Sequence, residues 1–418
     1  MKQIHCLAAT LLLAAWAPMT HVSAGEAARR PRWPQLHGPD RTNISPERDL
    51  MKRWPEGGPP LAWSYSPCGK GYSSVTIAEE KIFTAGDFGN GETLLALDLD
   101  GKLLWKARNG AAWRGSSPGS RATPTYNEGM LYHMNPTGRL AAYEADSGQP
   151  VWHVDLKSQF DAKHGIWAFA ENVVVDGNKV LCMPGGTKAR VVALDKRTGE
   201  TLWTNTEIEH SAAYCSPVVV TYRDARQMIS MTQKSVVGVD VATGKLLWSA
   251  PFVPKFPQNA LMPVFHDGFV FVACGHSSGG TVMKIQPDSR TASTVWHRRD
   301  LDNCHGGSVL MDGRLFGCGC RSGGKSFYCV DFFTGKTIKL DRTLGKVAIT
   351  CADDMIYCVN HRGEVSLLAI TPDGFDIVSQ FQLERKSPNS YLAHPVVCGG
   401  KLYVRCDDDL YAYDIRAK

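Results

Sequence analysis

Beyond its first 25 residues the chain contains no apolar run long enough to cross a membrane as a helix, which excludes a helical membrane protein. It contains no C-x-x-C-H motif, so covalently attached c-type haem is excluded. No two of its 13 cysteines are adjacent in sequence. Nor does one sign of charge dominate: 46 basic and 41 acidic residues leave a formal net charge of +5. The basic residues are scattered, so no nucleic-acid-binding stripe forms and a solvated mixed surface is implied.

What the chain does have is a repeat. Eight times, at intervals of 40 to 51 residues, a short apolar run ends at an acidic or polar anchor, usually followed by a glycine turn and a second apolar run. The anchors are Asp98, Glu144, Asp195, Asp240, Gln286, Asp331, Thr371 and Asp414. The clearest copies run from Leu95 to Trp105, from Val192 through Thr198-Gly199 to Trp203, and from Val237 through Thr243-Gly244 to Trp248. A period of this length, filled with short alternating strands, predicts propeller blades and not a helical solenoid. The strand before each anchor should pair with the strand after it, with Gly199, Gly244 and Gly335 at the positive-φ position of the turn. Trp105, Trp152, Trp203, Trp248 and Trp296 should wedge between neighbouring blades. Lys339 and Ser379 stand near that position in the sixth and seventh copies, so those blades should pack less tightly.

A second signal has the same period. Small residues, often with proline, open each unit: Tyr72-Ser73-Ser74, Ala122-Thr123-Pro124, Trp167-Ala168, Cys215-Ser216-Pro217, Leu261-Met262-Pro263, Gly306-Gly307-Ser308, Ala348-Ile349-Thr350 and Ala393-His394-Pro395. Innermost propeller strands crowd a central channel and tolerate such residues. The predicted fold is all-β, an eight-bladed propeller of four-stranded antiparallel blades. The last copy, Leu410 to Asp414, lacks an outer strand, whereas Leu61 to Tyr65 reads as an outer strand with no inner strands before it. The N-terminal segment should therefore complete the eighth blade and leave no sheet edge free. A composition of 43% hydrophobic residues with 40 Gly and 23 Pro fits one large domain, since a propeller adds blades without starting a new core.

Residues 1–24 read as a signal peptide: Lys2, an apolar stretch from Leu7 to Ala17, and Val22-Ser23-Ala24 as the cleavage site. Residues 25–60 form a lead-in and 61–418 the propeller. The expected destination is the periplasm or cell envelope, without a transmembrane segment once the leader is removed. Cys6 precedes the apolar stretch and no cysteine follows it, so no lipid anchor is read. Twelve cysteines remain in an oxidising compartment, an even number that permits disulfides without fixing their pairing. Cys182, Cys274, Cys329, Cys358 and Cys406 fall inside strands, where a buried thiol serves as a small apolar filler. Cys318 and Cys320 are expected on one face of a strand.

Two well-known patterns match. Gly319 to Ser326 satisfies the P-loop consensus, but the repeat places it in a turn between strands, where no helix N-terminus follows to hold phosphate. Gly115 to Gly119 satisfies G-x-S-x-G around Ser117, yet lies in a Gly, Ser and Pro loop and not a strand-to-helix elbow. Architecture points elsewhere, to the loops that enter the innermost strands and converge over the channel mouth. These supply Arg108, Trp113, Arg114 and Arg121, then Asp161, Lys163, His164 and Trp167, then Glu209, His210 and Tyr214, with Asn259, Asp302, Asn303, His305, Tyr391 and His394 further round. The candidate ligand-binding residues are Arg121, His164, Trp167, His210, Tyr214, Asn259, His305 and His394. Four histidines on four loops would bind a metal or an acidic ligand if they met near the axis; otherwise they cap strand ends and bind water.

The repeat A-x-D-x-x-T-G-x-x-x-W resembles that of the pyrroloquinoline quinone (PQQ) dehydrogenases, found also in the lipoprotein propeller of the outer-membrane barrel-assembly machinery. The resemblance spans residues 33 to 418, and the stretch Trp33-Pro34-Gln35-Leu36-His37-Gly38-Pro39 is similar to that of exported PQQ-like propellers. For quinoprotein alcohol dehydrogenases it implies an adjacent-cysteine disulfide beside the quinone, a Trp stacked under it, and a Glu, Asn and Asp set on Ca²⁺. This chain has no adjacent cysteine pair, and no calcium ligand or catalytic Asp is carried over. Two readings of Trp167 and Arg121 stand equally: a stacking face for a planar ligand and a partner for a carboxylate, or structural lining of the channel. Two functions are expected from this: a monomeric binding or scaffold module engaging a protein, glycan or small molecule at its loop face, or a PQQ- and calcium-dependent dehydrogenase acting on an alcohol or sugar.

Overall fold

A computed structural model describes residues 32–286, 290–321, 325–384 and 392–417. The leader at 1–24 and Tyr391 lie outside them. Eight sheets follow one another around a ring, each built on four antiparallel strands ordered from the channel outward, one of them with an added fifth. In blade 1 these are Thr76–Ala78, Lys81–Phe88, Gly91–Asp98 and Leu103–Ala111. The innermost strands of blades 2 to 8 begin at Thr125, Val174, Val218, Val264, Ser308, Val347 and Val396. The small-residue openings fall at or just before these starts, except in blade 3. There Trp167-Ala168 belongs to a separate turn in which Gly165 bridges to Ala168, and Asn172-Val173 precede the strand.

The anchors sit at or just past the end of each blade's third strand, and in the acidic copies the side chain builds the turn. Asp240 Oδ1 accepts from Thr243 N at 2.7 Å and from Thr243 Oγ1 at 2.6 Å, and Asp331 Oδ1 does the same with Thr334 at 2.8 and 2.7 Å. This turn delivers a glycine with φ of 75° at Gly199, 77° at Gly244 and 70° at Gly335. The preceding blade's Trp lies on it. A Cβ built on Gly199 would come within 2.8 Å of the Trp152 ring, and one on Gly244 within 2.4 Å of the Trp203 ring. Each indole N–H then donates to the carbonyl just after the anchor: Trp105 to Ala145 at 3.1 Å, Trp152 to Lys196 at 3.0 Å, Trp203 to Val241 at 3.1 Å and Trp296 to Phe332 at 2.8 Å. The Asp, Gly and Trp of the repeat are therefore one contact across a blade boundary. Trp248 differs, donating within its own blade to Gln227 Oε1 at 2.6 Å.

The hydrophobic core is divided in the same way, into eight buried clusters that each fill the space between two blades. Between blades 2 and 3, for example, Tyr132, Leu140 and Ala142 meet Val180, Val192 and Leu194. At the two boundaries without a Trp, other groups take its place. The Lys339 stem lies against Gly374 and its ammonium pairs with Asp376 at 2.8 Å. Ser379 Oγ accepts from the backbone N–H of Trp54 at 2.9 Å, and the Trp54 ring meets Phe381 edge-on at 5.3 Å inside the cluster between blades 7 and 8. The seventh blade thus borrows its tryptophan from the lead-in.

Leu61–Tyr65 pairs antiparallel with Asp409–Asp414 and closes the ring, and Trp63 donates to Leu99 O at 2.9 Å, continuing the Trp contact into blade 1. The lead-in ahead of it crosses the channel. Trp33 exchanges backbone hydrogen bonds with Ile77 of blade 1, Pro34 O accepts from Tyr126 of blade 2, and Ile44–Ser45 runs parallel to Cys351–Ala352 as a fifth strand of blade 7. Truncating a buried indole costs about 3 kcal/mol or more. Trp54→Ala is expected to lower the unfolding free energy by that amount, as is Trp152→Ala; a loss under about 1 kcal/mol for Trp54→Ala in urea unfolding would show that the lead-in does not support the seventh blade.

Candidate functional site

One end of the channel opens into a bowl of about 610 Å³. Its floor is the lead-in. Arg41 is buried in the channel, its guanidinium donating to Pro217 O at 2.7 Å, to Asn172 O at 3.2 Å and to Val173 O, while Nε reaches Gln35 Oε1 at 2.9 Å. Burial lowers its pKa only to about 10, so the charge persists. It ties the lead-in to the segments just before the inner strands of blades 3 and 4 through their carbonyls. Leu36 faces the bowl above it.

Beside Leu36, three histidines form a chain. His37 Nε2 lies 3.1 Å from His394 Nδ1, and His394 Nε2 lies 2.7 Å from the carbonyl oxygen of His305. A carbonyl accepts only, so His394 carries its proton on Nε2 and takes one from His37 at Nδ1. Burial holds all three pKa values low, that of His394 at about 4. At neutral pH they are uncharged; His305 and His394 line the bowl as neutral polar groups, with His37 behind them.

Positive charge comes from elsewhere on the wall. Arg121 donates to Gly119 O at 2.6 Å, Ser116 O at 2.8 Å and Ser117 O at 2.7 Å, and its guanidinium lies about 6 Å from the rings of Tyr72 and Trp113. Trp167 and Tyr214 meet edge-on at 5.7 Å beside it. Across the bowl stand Arg321, Lys325 and Lys346. No Asp or Glu lines the bowl among the described residues. The nearby carboxylates are engaged behind the wall: Asp302 accepts from the backbone N–H groups of Ser277 and Cys320 at 2.8 Å, and Glu171 accepts from Met183 N at 3.0 Å. Burial raises the Glu171 pKa to about 8, which keeps it largely protonated.

Five of the eight predicted site residues meet here: Arg121, Trp167, Tyr214, His305 and His394. The other three do not. His164 sits on the rim between Trp113 and Phe169, its Nδ1 at 2.8 Å from Gly165 O, and His210 is half-buried in the approach to blade 4. Asn259 is fully buried as a brace, donating to Thr232 O at 2.7 Å and accepting from Tyr214 N at 3.0 Å. The four predicted histidines therefore do not converge, and no group of three His, Cys, Asp or Glu suited to a metal occurs among the described residues. His276, Cys320, Arg321, Lys325 and His361 were missed because they lie between the second and third strands of their blades, and those loops share the channel mouth in an antiparallel blade.

The remaining motif matches dissolve. The Ser117 loop joins the outer strand of blade 1 to the inner strand of blade 2, with no helix after it. Gly319 N donates to Ser326 O across a hairpin that runs into the strand Phe327–Asp331. Cys318 ends its strand and bonds toward Gly345 and Val347, whereas Cys320 turns to the bowl, so the two do not share a face.

The donor set can be tested against a calcium-bound quinone. Ca²⁺ takes six to eight oxygens, carboxylates foremost. The bowl offers cations, imidazoles, thiols, hydroxyls and two side-chain amides, Asn172 and Gln258, of which Asn172 Oδ1 already accepts from Thr123 N; with no carboxylate on the wall among the described residues, this set does not fit that ion.

A protein-family model described as "Outer membrane protein assembly factor BamB" matches residues 90–339. Outer membrane protein assembly factor BamB of Escherichia coli is 30% identical over 146 residues, 34% of this chain and 33% of that protein. Quinoprotein alcohol dehydrogenase PedH of Pseudomonas putida is 28% identical over 157 residues, 36% of this chain and 25% of that protein. The matched stretches thus span a third or less of these relatives' length. Among solved structures, BamB from Moraxella catarrhalis superposes with a TM-score of 0.58 at 14% identity, covering 86% of this chain and 98% of that one. Quinohemoprotein alcohol dehydrogenase from Comamonas testosteroni gives 0.66 at 12%, covering 94% and 82%. At these identities the structural likeness shows the fold.

Because the folded value of His394 lies below the ordinary value near 6.5, the unfolded chain binds more protons as pH falls. Its contribution to stability is complete above about pH 6.5 and is lost toward pH 4, up to about 3 kcal/mol. Urea unfolding at about pH 7 and about pH 4.5 should show a smaller acid-induced loss in His394→Gln than in the unaltered protein; equal losses would contradict the assignment.

Proposed function

The chain belongs to the PQQ-repeat family whose model is described as outer membrane protein assembly factor BamB, and from that premise we propose that it is an exported binding module whose bowl receives an anionic ligand. One observation carries the reading: Arg121, Arg321, Lys325 and Lys346 line a single concavity that no carboxylate side chain lines among the described residues. Cations held in a low-dielectric concavity focus field on whatever enters it. The volume suits a small molecule or a few residues of a partner chain. Neutral imidazoles, Trp167 and Tyr214 supply shape and hydrogen bonds, as expected of a site with few polar groups in fixed positions.

A scaffold reading has its own support. Ile166, Val253 and Phe256, in loops on the mouth side, are exposed by 64%, 70% and 48%. Apolar side chains around a basic bowl suit an acidic segment of a partner protein, with the rim as the docking face. Among the described residues no helix is long and apolar enough to cross a membrane. Export to the periplasm or cell envelope rests on the leader sequence and on the relatives' kind.

Calorimetric titration with citrate, and with PQQ in the presence and absence of Ca²⁺, tests the ligand class. Both are polycarboxylates. The expected result is one-to-one binding that needs no Ca²⁺, weakens with salt, and falls at least tenfold, about 1.4 kcal/mol, in Arg121→Gln and Lys346→Gln. Binding of PQQ that appears only with Ca²⁺ would favour the dehydrogenase, and no heat with either anion would leave the rim as the binding surface.

A further inference from the structure

Ten of the twelve described cysteines leave the bowl untouched, their thiols turned into blade packing or backbone contacts. Burial pushes such thiols up, to about 12 at Cys215 and about 11 at Cys329, so they are inert as nucleophiles. Cys304 and Cys320 differ in three respects. Both line the bowl. Their sulfurs lie 2.8 Å apart, inside ordinary non-bonded contact of about 3.5 to 4.0 Å. The hydrogen bond between them lowers the Cys320 thiol, with the charge of Lys346 on the same wall adding to that, while the same bond and burial raise the Cys304 thiol.

The backbone explains the approach. Ser308–Met311 and Arg314–Cys318 form the first hairpin of blade 6, with Ser308 paired to Gly317 at its open end. Cys304 lies four residues before the first of these strands and Cys320 two residues after the second, both in loops at the mouth end of the hairpin. The carboxylate of Asp302 fixes both arms, accepting from Cys320 N at 2.8 Å and Arg321 N at 3.2 Å. Gly275 of blade 5 makes room, since a Cβ there would lie 2.0 Å from Cys304 Sγ.

We propose that Cys304 and Cys320 are a redox-active dithiol on the wall of the bowl, closing to a disulfide by exchange with a low-molecular-weight disulfide. The Cys320 thiolate, favoured by the hydrogen bond from Cys304 and by Lys346 against the cost of burial, attacks one sulfur of R–S–S–R. That S–S bond breaks, RS⁻ leaves, and a mixed disulfide forms on Cys320. Cys304 loses its proton to the departing thiolate and attacks Cys320 Sγ, expelling the second RS⁻, which takes a proton from solvent. The protein gives up two electrons and two protons; the small disulfide is reduced to two thiols. The basic wall suits an anionic carrier of that disulfide.

Full-length protein, reduced and desalted, would be incubated with oxidised glutathione, alkylated, digested and analysed by mass spectrometry. The expected product is a cross-linked peptide pair joining Cys304 to Cys320, short of two hydrogens and restored by reductant, with the other described thiols alkylated only after unfolding. Cys304→Ser should stop at a glutathione adduct on Cys320. Cross-links from Cys320 to Cys318 or Cys274, or both thiols still free after incubation, would overturn the proposal. A second readout needs no cysteine variant: in the folded protein Cys320 should alkylate fastest of the described thiols, and Lys346→Gln should move the rise of that rate to higher pH. A pair that merely fills space would show neither the rate nor the shift.

Discussion

The pairing of Leu61–Tyr65 with Asp409–Asp414 is the constraint on which the other contacts rest. A propeller blade presents both faces to neighbours, so an open ring would leave two faces and their apolar side chains in water. Closing it gives all eight boundaries a buried cluster, from the one joining blades 1 and 2 to the one joining blades 8 and 1. With the ring complete, loops from every blade are fixed around one axis, and side chains as distant in sequence as Arg121 and Lys346 come to line one bowl.

The lead-in converts that ring from a pore into a cup. Its Arg41 meets backbone carbonyls inside the channel, which satisfies a buried guanidinium without an ion pair. Its Trp54 supplies the indole that blade 7 does not encode, and its His37 orients His394. The segment therefore contributes to stability, to the floor of the site and to the protonation state of its histidines.

The periodic part of this molecule was legible in the sequence because a repeated blade imposes the same local chemistry eight times. Asp240, Thr243, Gly244 and Trp203 are readable as a turn and a wedge, although only the structure shows that the wedge and the turn belong to different blades. The aperiodic part was not legible. Nothing in the pattern marks Trp54 as a substitute for a missing repeat residue, or Arg41 as a channel plug, since neither has a counterpart in another copy. Half of the bowl is anticipated by the loops entering the inner strands, whereas Cys320, Arg321 and Lys325 stand on a loop between the second and third strands, which the repeat pattern does not mark. His164 and His210 failed for a related reason: a loop that reaches the mouth need not send each of its side chains inward.

The closing strand joins residues near opposite ends of the chain, and this orders events in time. A polypeptide that emerges from its N-terminus forward has the Leu61–Tyr65 edge available long before Asp409–Asp414 exists to cover it. Local hairpins form early, but the contact that seals the ring carries the greatest loop-closure entropy and comes last. Until then Leu61–Tyr65 is an unpaired β-edge, open to pairing with other chains, and the molecule depends on being shielded for as long as its own synthesis takes.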